Sequence, residues 1–174
     1  MFEASLPVAP SSTRLMETLR RPRSAQRRSL DPTTNLQKGV TPMNKPLGVA
    51  VLGLGWMGQV HSRAMLRMPS LFPNRSFDPK LVVCADTEEE RRTRAVNDFG
   101  FERAVADWRE AVEADDVDVV WVTAPNMLHV PMIEAAAAAG KAVFSEKPIG
   151  GKPEQTVAAY NAAKAAGVRT AVGY

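Results

Sequence analysis

Cysteine, histidine and long apolar runs are what this sequence has least of. Its one cysteine, Cys84, cannot close an internal disulfide, and its place in the apolar run 81–85 reads as a small core residue. The other reading, a reactive thiol, has no support from neighbouring residues. Only two histidines, His61 and His129, are present, and no His/Cys cluster has metal-ligand spacing, so no metal site is expected. No apolar stretch approaches the ~20 residues a membrane-spanning helix needs. No secretory apolar core is present either, and the expectation is a soluble, cytoplasmic protein. Aromatics are sparse at 6%, but 45% hydrophobic and 24% charged residues are ordinary for a globular domain, and the 174 residues suffice for one domain with a proper core.

The formal charge of +3 is unevenly spread. Of 22 basic and 19 acidic residues, residues 1–46 hold 8 and 3, so the remainder is slightly acidic. The basic excess sits in a tail and not on a periodic face, which argues against nucleic-acid binding. That tail mixes Ser, Thr, Pro and Arg without sustained apolar periodicity and is expected to be a disordered extension. Glu3, Glu17 and Asp31 argue against a transit peptide. A start codon assigned too early is the expected account of the tail, since Met43 stands four residues ahead of Leu47.

From Leu47 short apolar runs alternate with amphipathic segments, the signature of βαβ units and a parallel sheet. Strands are expected at 48–52, 80–85, 103–106, 117–123, 142–145 and 168–172. Helices are expected at about 57–68, stopping before Pro69, then up to Phe99 with Gly100 as its stop, after Asp107, from Asn126 or its neighbour to Gly140, and at 153–166. The stretch 69–79 reads as a long polar loop. Thr87 with Glu90 three residues on reads as a capping box. Six strands in this pattern imply an α/β Rossmann fold, a doubly wound parallel sheet of order 3-2-1-4-5-6, with a ligand crossing the carboxyl ends between strands one and four.

The apolar run 49–52 leads directly into Gly53-x-Gly55-x-x-Gly58, with Trp56 and Met57 inside the pattern. Gly53 permits the tight strand-to-helix turn, Gly55 admits a pyrophosphate close to backbone, and Gly58 lets helix and strand approach. The helix amino terminus adds free N–H groups and partial positive charge. A dinucleotide is the expected ligand. S-adenosylmethionine sites use similar glycines and remain an alternative on this pattern alone. Asp86, at the end of strand two, suits the adenosine ribose hydroxyls and repels a 2′-phosphate, which favours NAD while leaving NADP possible. Its spacing from Gly53 exceeds the usual ~20 residues because of the loop between them. Arg91 and Arg92 one turn on are within reach of a 2′-phosphate, or simply pair with Glu88 to Glu90 on an exposed face.

Three linked motifs then point further: Gly53-x-Gly55-x-x-Gly58-x-x-His61, the segment Thr123-Ala124-Pro125-Asn126-Met127-Leu128-His129, and the segment Gly140-Lys141-Ala142-Val143-Phe144-Ser145-Glu146-Lys147-Pro148. In order and spacing they resemble the glucose-fructose oxidoreductase and inositol dehydrogenase (Gfo/Idh/MocA) family over residues 47–174, its amino-terminal NAD(P)-binding domain. The resemblance implies an oxidoreductase acting on a sugar, cyclitol or related polyol. It implies that Lys147 is catalytic, assisting proton transfer near the nicotinamide, and that Glu146 holds the nicotinamide ribose. Pro125 and Asn126 would line the loop on the nicotinamide side. His129 falls in the same cofactor-binding group, more as the residue that orders the start of its helix than as a participant in catalysis, and His61 as a residue packed near the glycine turn. In the family a carboxyl-terminal substrate domain completes the proton relay and mediates oligomerisation. That second domain is absent from these 174 residues, so a fragment inactive by itself is expected, and a homo-oligomer only where that domain is present. The alternative is a non-catalytic nucleotide-binding module that pairs with a partner chain. An S-adenosylmethionine transferase is weaker still, because Glu146-Lys147-Pro148 has no role in it.

Overall fold

The computed structural model describes residues 45–174. The extension expected over residues 1–46 therefore lies outside the described residues, except that Lys45 and Pro46 already belong to the first strand. The elements alternate as the apolar pattern requires: β1 Lys45–Leu52, α1 Trp56–Leu71, β2 Phe77–Ala85, α2 Glu89–Phe99, β3 Arg103–Val105, α3 Trp108–Glu113, β4 Val119–Val122, α4 His129–Ala138, β5 Ala142–Glu146, α5 Pro153–Ala166 and β6 Thr170–Gly173. A 3₁₀ turn over Asn126–Leu128 precedes α4. All strand pairs are parallel, and their order is β3-β2-β1-β4-β5-β6. This is the doubly wound α/β sheet expected from the alternation. The reversal of winding falls between β1 and β4, whose paired residues run from Val49↔Val119 to Leu52↔Val122.

Two apolar layers hold the sheet. On one face Ala50, Leu52, Val120 and Val122 pack with Val112 of α3, Ile133 of α4 and Ala159 of α5. On the other, Val49, Val51 and Cys84 pack with Met65 of α1 and Phe99 of α2. Because β1 is covered on both faces, its last four residues are fully buried, which is why it reads as an unbroken apolar run and not as an alternation.

Three local expectations need correction. The first helix does not stop before Pro69 but runs to Leu71, with Pro69 in its last turn. A proline costs one helical hydrogen bond there, and the Ser70 hydroxyl donates to the Arg67 carbonyl at 2.9 Å while Arg75 donates to the Pro69 and Phe72 carbonyls at 3.2 Å. The long loop shrinks at its other end too, since β2 begins at Phe77 and pairs Pro79 with Leu47. β3 reaches only residues 83–85 of β2, so residues 77–80 form a local edge where a missing donor is tolerated. Thr87 caps nothing: α2 starts after Glu88, whose N–H donates to Asp86 Oδ1 at 2.9 Å.

The stops were legible. Gly100 and Gly167 end α2 and α5 in the left-handed region, at φ 73° and 68°. Asp107 caps α3 by accepting the Arg109 N–H at 3.0 Å.

Cys84 is fully buried beneath α2, and burial, reinforced by the neighbouring Asp86 charge, pushes its thiol up to about 12. The folded chain is expected to leave Ellman's reagent unreacted in mildly alkaline buffer and to consume one equivalent once unfolded. Rapid labelling of the native chain would contradict this.

Candidate functional site: a cleft at the sheet's carboxyl edge

The glycine turn between β1 and α1 is wedged between its neighbours. Gly53 donates to the Ala85 carbonyl at the end of β2 at 2.8 Å, and Thr123, just past β4, donates its hydroxyl to the Gly53 carbonyl at 2.6 Å. Gly53 has φ 92°, and a Cβ on it would stand 2.6 Å from Ala124 Cα, so both conformation and space demand glycine. A Cβ on Gly58 would meet the Gly53 carbonyl oxygen at 2.0 Å. Gly55 differs: a Cβ there meets nothing within 4 Å. Nothing inside the described chain explains that glycine, and α1 starts at it without a side-chain cap. An open cradle below uncapped helix N–H groups suits an anionic ligand's close approach to backbone.

Asp86 closes the turn from the β2 side. Its Oδ2 accepts the Leu54 N–H at 2.7 Å and its Oδ1 the Glu88 N–H, while Arg91 stands 3.6 Å from Oδ2 and pairs with Glu88 at 3.0 Å. Arg92 donates instead to the Asp86 and Thr87 carbonyls at 2.7 and 3.0 Å. The carboxylate thus shapes the loop as well as facing a cleft of about 250 Å³, lined among others by Gly53, Asp86, Arg91, Trp108, Pro125 and Leu128. The sequence suggested the ligand-facing role of Asp86 and missed its backbone role, whose partner lies 32 residues away.

Trp56, the first residue of α1, is 77% exposed, and Met127 in the 3₁₀ turn is 83% exposed. Met57 is half-buried, Pro125 exposed and Asn126 half-buried. His129 stands at the start of α4. It is 2% exposed, with Nδ1 2.9 Å from the Pro148 carbonyl and Nε2 2.7 Å from the Ala124 carbonyl. It holds together the loops after β4 and β5, the first through Ala124, which lines the cleft.

The loop after β5 carries Glu146 and Lys147. Glu146 is 8% exposed, and both its oxygens are engaged: Oε1 lies 2.8 Å from His61 Nε2 on α1, and Oε2 accepts the Lys147 N–H at 3.2 Å. Burial alone would push this carboxyl up. The His61 hydrogen bond, the Lys147 N–H and the charges of both residues outweigh it, so the pKa lies below the usual carboxylate value. Lys147 itself is exposed, ahead of a cis bond to Pro148, and borders a second cleft of about 360 Å³ with Ile149, Thr156, Val172 and Tyr174. The sequence placed His61 only near the glycine turn. Its spacing after Gly58 was the available signal, but its partner is 85 residues away.

A glycine turn at the winding switch, an uncapped helix start and a carboxylate at the end of β2 define a dinucleotide-binding domain of the doubly wound class. Residues 47–174 match the family model described as the oxidoreductase family, NAD-binding Rossmann fold (GFO_IDH_MocA), and the chain belongs to that family. Levoglucosan dehydrogenase of Pseudarthrobacter phenanthrenivorans is 38% identical over 118 residues, which are 68% of this chain and 30% of that protein. The scyllo-inositol 2-dehydrogenase (NAD(+)) of Bacillus subtilis is 32% identical over 132 residues, 76% of this chain and 36% of the relative. Among solved structures, a levoglucosan dehydrogenase in complex with NADH and levoglucosan aligns with TM-score 0.69 at 35% identity, covering 72% of this chain and 35% of that one. The chain spans about a third of the length of the relatives it matches. This is an NAD-binding domain, and no helix among the described residues is long and apolar enough to cross a membrane.

Replacing Asp86 by Ala strips the Leu54 and Glu88 N–H groups of their acceptor, at a cost of about 1–3 kcal/mol for each such group left buried. Asp86→Ala is therefore expected to lower the urea midpoint markedly and Asp86→Asn, which keeps an acceptor oxygen, to lower it less. Equal midpoints for all three proteins would show that the carboxylate does not hold the turn.

Proposed function

We propose that residues 47–174 are the cofactor half of an NAD(P)-dependent oxidoreductase acting on a sugar, cyclitol or related polyol. The observation that carries this reading is the shared edge: the glycine turn after β1, the Pro125–Asn126 loop after β4 and the Lys147 loop after β5 follow strands that are neighbours in the sheet. A dinucleotide laid along that edge meets all three in turn.

In this reading the N–H groups at the start of α1 bind the diphosphate, Gly55 keeps the backbone bare beneath it, and Gly53 and Gly58 set the turn. Asp86 accepts from the adenosine ribose with lone pairs that Leu54 and Glu88 leave over. Trp56, Met57, Pro125 and Asn126 border the remainder of the cofactor, and His129 acts on it through the two loops that it ties. Glu146 keeps lone pairs for a nicotinamide ribose hydroxyl. Bound NAD supplies the hydride acceptor. Lys147, on the same edge, exchanges a proton with the substrate oxygen. Asp86 near the 2′ position favours NAD over NADP, because a 2′-phosphate brought against a carboxylate is repelled. The family likeness and the names of the relatives support the polyol class; the buried cysteine fits a cytoplasmic setting. Orientation of a substrate belongs to the part of the relatives' length that residues 47–174 do not match, so cofactor binding without turnover is expected of these residues by themselves, and oligomerisation only where a second domain accompanies them.

Calorimetry separates the readings. NADH is expected to bind the 174-residue chain, NADPH at least about tenfold more weakly, and S-adenosylmethionine not at all, while levoglucosan or myo-inositol with NAD gives no turnover. Gly55→Ala is expected to retain the native melting temperature and lose NADH binding, because its Cβ disturbs only the ligand's space. Gly58→Ala is expected to lose stability as well. A folded wild type that takes up neither pyridine nucleotide would end this account.

A further inference from the structure

The carboxylate beside Lys147 is enclosed from several elements at once. His61 approaches from the second turn of α1 with Nε2 2.8 Å from Glu146 Oε1. The imidazole is held edge-on against Phe144 of β5, ring centroids 5.0 Å apart, and tilted against Trp121 of β4 at 6.0 Å, and these two rings stack at 4.4 Å. From β6, a Cβ on Gly173 would stand 2.8 Å from Glu146 Oε1 and 3.0 Å from Phe144 Cζ, so only glycine leaves the carboxylate its place. The titratable groups facing Glu146 are His61 from α1 and Lys147 from its own strand end; β4 and β6 present Trp121 and Gly173.

A carboxylate buried this far needs donors for both oxygens. One is the Lys147 backbone. The other comes from the helix whose amino terminus faces the diphosphate. We propose that His61 is a positioning residue: by donating from Nε2 to Glu146 Oε1 it fixes the carboxylate, and through its second oxygen the Lys147 N–H, locking the diphosphate helix and the lysine loop into one register. This rests on the assignment of the α1 amino terminus and the Lys147 loop to the cofactor. The neutral Nε2–H tautomer and the imidazolium both donate from Nε2, so the lock does not depend on the charge of the ring. It fails in acid, when Glu146 takes up a proton.

Two substitutions divide the bond from the packing. His61→Phe keeps a ring against Phe144 and Trp121 and deletes the donor; His61→Gln deletes the ring and keeps an N–H donor. On the full 174-residue chain, the Glu146 titration is read by carboxylate carbon NMR without cofactor, and NADH affinity by calorimetry across pH. For wild type, affinity is expected to be level above the Glu146 titration and to fall below it. For His61→Phe the Glu146 titration moves to higher pH, the acid fall of affinity begins earlier, and affinity at neutral pH drops about tenfold, the scale of one hydrogen bond to a charged group. His61→Gln is expected to stay near wild type in all three. A His61→Phe protein that matches wild type, or a His61→Gln protein that loses as much as it, overturns the proposal. Should His61→Phe not fold, nitrogen NMR of wild type decides: the neutral imidazole is expected as the Nε2–H tautomer, and the Nδ1–H tautomer refutes the bond. Absence of NADH binding by wild type would sink the cofactor assignment, and the Glu146 titration would still judge the bond.

Discussion

A backbone turn that accepts a diphosphate has to be bare where the ligand lands and rigid everywhere else, and the hydrogen bonds around Gly53 meet both demands. The Gly53 N–H is satisfied by the Ala85 carbonyl, its carbonyl by Thr123, and the next N–H, on Leu54, by Asp86. These partners come from β2 and from the segment after β4, the strands on either side of β1. The turn is therefore braced on both flanks by the order of the sheet, and only the stretch at Gly55 faces open space. The start of α1 follows directly from this braced turn, and the loops after β4 and β5 come to the same edge through the parallel register of their strands.

Much of this was legible in sequence because it rests on local chemistry. An apolar run followed by spaced glycines specifies a buried strand and a turn that cannot carry side chains. Pro153 and Gly167 bracket α5 as the rules for helix ends require, and the helix occupies the span expected from them. The strand order followed from the alternation of six strands with helices, read together with the glycine turn as a dinucleotide-binding sheet. What escaped was decided between distant residues. Pro69 and Pro79 read locally as breakers, yet one falls in a last helical turn whose carbonyls Ser70 and Arg75 recover, and the other on a stretch of β2 that short β3 does not reach. Thr87 read locally as a cap, but Asp86 already accepts the Glu88 N–H.

The site shows the same division. The glycines and Asp86 stand out by residue type and by their places at strand ends, and Lys147 stands out only through the motif that resembles the family. The two histidines do not, because an imidazole on an amphipathic helix has many uses, and what distinguishes these is the partner. His129 spans from the Ala124 carbonyl to the Pro148 carbonyl, joining the loops after β4 and β5. His61 spans from α1 to Glu146. Neither needs to meet a ligand for its loss to be felt.

That arrangement has a mechanical sense. A lysine at an exposed strand end owes little of its placement to its own four-carbon arm, which is flexible. Its backbone is the part that structure can hold, and here the Lys147 N–H is bound to a carboxylate fixed from α1 while the next carbonyl, that of Pro148, is bound to an imidazole at the start of α4. The loop is thus gripped on one side through the helix that starts at the glycine turn and on the other through the helix that follows the Asn126 loop. Movement of the lysine backbone relative to either loop requires breaking one of these buried polar contacts, each costly to leave unmade. The exposed amino group then varies in position only through its flexible side chain, and the proton exchange proposed for it starts from a backbone that both helices hold.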